Sequence, residues 1–242
     1  MYYIYMEKEK DYFVLYTPDV LEKTYELLQK DFSRNDILTA IKSDDDTVKQ
    51  AALFKLETIE NSDEAESLVS VLTGQSGPVR EICSFKINEF LSNSDYRDFF
   101  DGETITEQLL NALNDIIPSV ARNIINVIHF IPDKENFLDK LMKRIIDIDL
   151  SEENSETLSN HEISKNTFKL YWYMEALSEL LTDETLNYDE NSMNEILKKS
   201  YNFDDYTIRE KAAKLISRIS GFDEYRNCLE NDTNPYVYHY LK

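Results

Sequence analysis

One pattern recurs along this chain and limits the folds open to it. The segments DDDTVKQAALFKLETI, SGPVREICSFKINEF, IIPSVARNIINVIHFI and DDYTIREKAAKLISRI align on Val48, Val79, Val120 and Ile208. Four residues after each anchor come Ala52, Cys83, Ile124 and Ala212, and eight after come Leu56, Ile87, Ile128 and Ile216. Ile59, Phe90, Ile131 and Ile219 follow at eleven. Apolar residues at these offsets share one stripe of a 3.6-residue helix. A second stripe precedes each anchor, as in Ile37, Leu38 and Ile41, or Leu109, Leu110 and Leu113.

Between the stripes lie caps and breakers. Pro78 and Pro118 suit the first turn of a second helix, where a missing N–H costs nothing. Asp45 or Asp46, Ser76 or Gly77, and Asp204 or Asp205 suit its N-cap. Each unit therefore reads as helix, tight turn, helix. A divergent unit around Phe168, in KNTFKLYWYMEALSEL, fills the gap before Ile208, and a partial unit on Val237 ends the chain. With four Gly and five Pro in 242 residues, breaks are few, which favours helices over a tightly turned β-sandwich.

The pattern resembles HEAT repeats over roughly residues 34–242. The resemblance rests on a small or capping residue, then Val or Ile followed by a base (Val48-Lys49, Val79-Arg80, Ile208-Arg209), then a small residue, then Leu or Ile. It implies an all-α, HEAT-like α-α superhelical solenoid of five to six helical hairpins, as a single domain over 1–242. Ala121 replaces the base in the third unit, and Trp172 stands where the fourth should have a small residue. Repeats of this kind say much about architecture and little about function.

Two stretches fall outside the repeat. YYIYM and YFVLY, within residues 1–17, read as a short β-hairpin capping the N-terminal end, although runs so short also suit a helix. Residues 150–165, rich in Ser, Glu and Asn, read as a long acidic loop.

A formal charge of −21 argues against nucleic acid and anionic lipid as partners and favours a basic protein. Recurring bases such as Lys49, Lys55, Arg80, Arg122 and Lys214 read as intramolecular partners of the acidic turns. No segment has the length and apolarity of a transmembrane helix, and the N-terminus lacks the basic lead of a signal peptide. Two distant cysteines support neither a disulfide framework nor a CxxC site, so the expected compartment is the cytoplasm. Cys83, inside an apolar stripe, reads as a buried hydrophobe.

Catalytic signatures are missing: no phosphate loop, dinucleotide fingerprint, nucleophile elbow or HExxH occurs. His129, His161 and His239 are scattered, with His129 opposite the Val120 stripe, where it would face a groove. No cofactor or metal is expected.

The sites that remain are surfaces. Asp44, Asp45, Asp46, Asp204 and Asp205 belong to turns that a repeat stack would align on one rim, either as caps or as a negative ridge for Lys and Arg on a partner. Tyr171, Trp172 and Tyr173 form an aromatic cluster with an interface character, although at least one of three adjacent helical residues must face the core. The expected function is non-catalytic binding of a basic protein partner, with an immunity or antitoxin-type inhibitor as the narrower form. Alternatives are a HEAT-like enzyme related to DNA glycosylases or lyases, and a scaffold subunit. The chain is expected as a monomer, or as a homodimer through the C-terminal repeat.

Overall fold

A computed structural model describes residues 18–149 and 160–242. The expected N-terminal hairpin lies outside them. Among the described residues thirteen α-helices run in chain order: α1 Pro18–Gln29, α2 Arg34–Ile41, α3 Asp46–Lys55, α4 Ser62–Val69, α5 Gly77–Ser92, α6 Glu103–Ala112, α7 Pro118–Ile125, α8 Lys134–Ile146, α9 Asn160–Leu180, α10 Glu190–Ser200, α11 Tyr206–Ile216, α12 Asp223–Glu230 and α13 Pro235–Tyr238. Short 3₁₀ turns occupy Ser70–Leu72, Arg97–Phe100 and Ile128–Phe130, and no strand occurs among the described residues.

The chain divides into two compact units, Met1–Phe100 and Asp101–Lys242. In the first, α1, α3 and α5 pack side by side, and α2 packs on α4. In the second, α7, α9, α11 and α13 form one layer while α6, α8 and α10 form the other. Each unit is thus a run of helical hairpins in which first helices neighbour first helices and second helices neighbour second helices. That is the organisation of an α-solenoid, and it follows from burying one stripe against the hairpin partner and another against the next repeat.

Local chemistry sets the helix starts. Ser33, Asp45, Asn61, Asp133, Asp189, Asp205 and Asn234 each accept a backbone N–H in the first turn of the helix that follows. Pro78 and Pro118 occupy first-turn positions, as the sequence predicts, and Pro235 does the same at α13. Helix ends were less legible. α3 stops at Lys55 and α7 at Ile125, so Leu56, Ile59, Ile128 and Ile131 leave the helix yet remain buried. Ile131 is extended because Pro132 follows it, and a residue before proline avoids the α region.

The core contains the anchors Val79, Val120 and Ile208, each fully buried. Val48 is only half-buried, and the next residue, Lys49, is covered instead. Cys83 is buried, as expected: its thiol donates to the Leu68 carbonyl at 3.1 Å, and burial pushes its pKa up. The acidic loop expected over 150–165 needs correcting at its end, because residues 160–165 begin α9. Residues 150–159 lie outside the described ones. Ser164 and Lys165 are exposed, so their polarity marks the solvated start of a helix that farther on is buried on most sides.

Candidate functional site

The acidic turns fall into two groups, one in each unit. Before α3, Asp44 is exposed, while Asp45 accepts from Thr47 N at 2.9 Å and Val48 N at 3.2 Å and pairs with Lys23. The Lys23 ammonium, aided by those N–H groups against a desolvation penalty, holds the Asp45 carboxyl below its usual range. Asp46 is the first residue of α3 and half-buried. Before α11, Asp204 and Asp205 are both exposed, and Asp205 caps the helix through Thr207 N at 2.9 Å. Asp45 and Asp205 therefore hold structural posts, while Asp44 and Asp204 present their carboxylates to solvent.

The base that follows the repeat anchor has a common role. Lys49 donates to the Gln75 side chain in the following interhelical turn, and Arg80 donates to the Gln75 carbonyl of its own. Arg209 does both. Its Nη1 donates to Phe203 O at 2.6 Å and Asp204 O at 2.9 Å in its own turn. Its Nε and Nη2 meet the two oxygens of Asp232, in the next turn, at 2.6 and 3.3 Å. The recurring base thus fastens turns, within a unit, to themselves and to their neighbours. Farther along its helix, Lys214 pairs with Glu175 at 2.7 Å and Glu179 at 2.5 Å. Lys55 donates to the Lys30 carbonyl at 2.7 Å. Arg122 is the exception: it has no ion pair among the described residues and lies over the Trp172 ring at 5.9 Å.

The YWY cluster splits as helical geometry requires. Tyr173 is buried, and its hydroxyl accepts from Asn114 Nδ2 and from Arg144 Nη1, the latter at 3.2 Å. Trp172 is 6% exposed, edge-on to Tyr171 at 5.2 Å and to Phe168 at 6.2 Å. Tyr171 is half-buried with Lys211 over its ring at 4.7 Å. Lys211 also pairs with Glu175 at 3.0 Å. Burial would raise the Glu175 carboxyl, but the Lys214 and Lys211 ammoniums outweigh it and leave it lowered.

A cavity of about 270 Å³ opens between α7 and α9, lined by Pro118, Arg122, Ile125, Asn126, Tyr171, Trp172 and Glu175. His129 does not join it. The histidine is exposed in the 3₁₀ turn after α7, its ring 3.9 Å from that of Phe130. His239 caps the end of α13. Among the described residues no group of three or more His, Cys, Asp or Glu side chains could hold a metal ion, and no helix is long and apolar enough to cross a membrane.

One pair was not anticipated. Tyr206 and Tyr236 stack with ring centroids 6.2 Å apart, while remaining 41% and 65% exposed. They occupy the first turns of α11 and α13, Tyr206 directly after the cap Asp205 and Tyr236 two residues after the cap Asn234. The shared order of cap then Tyr, in DDYT and NPYV, was visible; that the two helices are neighbours was not.

No family model matches the chain, and no curated protein does either. Solved structures do. Two engineered proteins share 15% and 13% identity, each with a TM-score of 0.48; the matches cover 85% of this chain and 92% and 93% of theirs. A designed armadillo repeat protein shares 15% identity at a TM-score of 0.41, over 85% of this chain and 95% of its own. Likeness at this level carries nothing about function.

Proposed function

We propose that this chain is a non-catalytic, protein-binding repeat protein of HEAT-like type whose acidic surface binds a basic protein. The observation that carries this reading is the exposed Tyr206–Tyr236 stack close in sequence to the solvent-facing carboxylate of Asp204. Amphipathic rings left in solvent next to an uncommitted carboxylate form a recognition patch for Arg or Lys. The guanidinium or ammonium pairs with the carboxylate and lies on the ring face. The charge of −21 adds long-range attraction for a basic partner and repulsion for nucleic acid. An immunity or antitoxin-type inhibitor, which shields a basic surface that would otherwise meet phosphate, is the narrower form of this proposal.

The test is capture of partners on immobilised protein, washed at about 50 mM and about 500 mM salt, because the screening length shrinks from above to below about 10 Å across that range. The proposal expects a basic protein released by high salt and lost from the Tyr206→Ser/Tyr236→Ser variant. Capture that is indifferent to both changes contradicts it.

A further inference from the structure

The cavity between α7 and α9 has a composition that the acidic-rim reading does not use. Arg122 is exposed and holds no carboxylate among the described residues, in a chain where acids outnumber bases by 47 to 26. Below it lies Trp172, the only tryptophan, whose Nε1–H is buried without an acceptor. Buried donors left unpaired are rare in folded proteins, and each calls for a reason. Tyr171 and Ile125 supply apolar wall, and Asn126 an amide at the mouth. The single acid of the lining, Glu175, is already engaged by Lys211 and Lys214.

We infer that this cavity is a binding site for the carboxylate side chain of an extended segment of a partner protein, with Arg122 as the recognition residue. An Arg guanidinium laid on an indole keeps its N–H edges free, and a carboxylate is the acceptor that fills them in a bidentate, charge-assisted way. The site lies wholly within the second unit and does not depend on the rim proposal.

The uniqueness of Trp172 makes the test direct. The intact ¹⁵N-labelled protein shows one tryptophan indole resonance, which is followed while adding the acetylated, amidated peptide Ala-Leu-Glu-Leu-Ala and, separately, its Gln counterpart. The inference expects a saturable shift of the indole signal with the Glu peptide and at least tenfold weaker binding of the Gln peptide. Arg122→Gln, an exposed position where folding should survive, should reduce the Glu peptide to the affinity of the Gln one. An indole signal that does not move, equal affinity for both peptides, or unchanged binding by R122Q each overturns it.

Discussion

Removing the Arg209 side chain tests the turn-fastening role assigned to the recurring base. Arg209 and Asp232 are 17% and 9% exposed at the side chain, so the pair sits mostly out of water. The guanidinium holds the Asp232 carboxyl below its usual range despite the opposing cost of burial. Arg209→Ala leaves that carboxylate with a single described donor, Asn234 N at 2.8 Å, and frees the carbonyls of Phe203 and Asp204. Breaking a fully buried pair from one side costs about 3–5 kcal/mol. The residual exposure of Arg209 screens part of the interaction, which brings the expectation to about 2–3 kcal/mol. Asp232→Asn keeps the shape and removes the charge, and the double variant should show a coupling of about 1.5 kcal/mol with Arg209→Ala. Urea unfolding followed by the fluorescence of Trp172, which lies in the same unit, supplies the measurement. Arg218 is exposed, so Arg218→Ala serves as the control. If Arg209→Ala falls within about 0.5 kcal/mol of that control, the range of ordinary surface changes, the clamp has no energetic content.

Three further outcomes follow from the structure. Asp45→Ala and Asp205→Ala should each cost about 1 kcal/mol in urea unfolding, whereas Asn at either position, an equally good cap, should cost little. Asp183 is held at about 2, against an ordinary 3.8, chiefly by a hydrogen bond from the Lys134 ammonium at 2.6 Å. A lowered carboxylate contributes stability that is complete above its unfolded pKa and is lost as the pH falls toward 2; Lys134→Met should move the Asp183 carboxyl up toward 3.8 in an NMR titration. Gly102 has φ +120° ahead of α6 with open space where a Cβ would sit, so Gly102→Ala should cost about 1–3 kcal/mol through backbone strain alone, read by thermal unfolding.

The hairpins were legible because two independent signals coincide in each repeat: a cap or proline at the turn, and a stripe of apolar residues at helical spacing. Val79, Val120 and Ile208 carry both and are fully buried. Val48 shows the limit, since its first-repeat stripe is read in the same way yet half of it faces solvent. Helix ends were less legible, because Leu56 and Ile131 stay in the core without staying helical. Burial depends on where a side chain goes, whereas helix termination depends on the backbone. The surface features are harder still. Nothing in the string places Tyr206 against Tyr236 or Arg122 over Trp172, since each pair joins helices whose adjacency only the fold creates. The replacement of a small residue by Trp172 was visible as a departure from the pattern. The cavity between α7 and α9, which Trp172 helps to line, was not.

The most direct measurement of the central claim compares capture of partners by the native chain and by the variant Asp44→Asn, Asp45→Asn, Asp204→Asn, Asp205→Asn. Asn preserves the two caps, so this variant should remain folded while four charges leave the interhelical turns. The account predicts that a basic protein retained by the native chain at about 50 mM salt is lost from the folded variant, with the same loss produced in the native chain by about 500 mM salt. Equal retention of that protein by both chains would contradict it, and would leave the turn carboxylates with capping as their whole function.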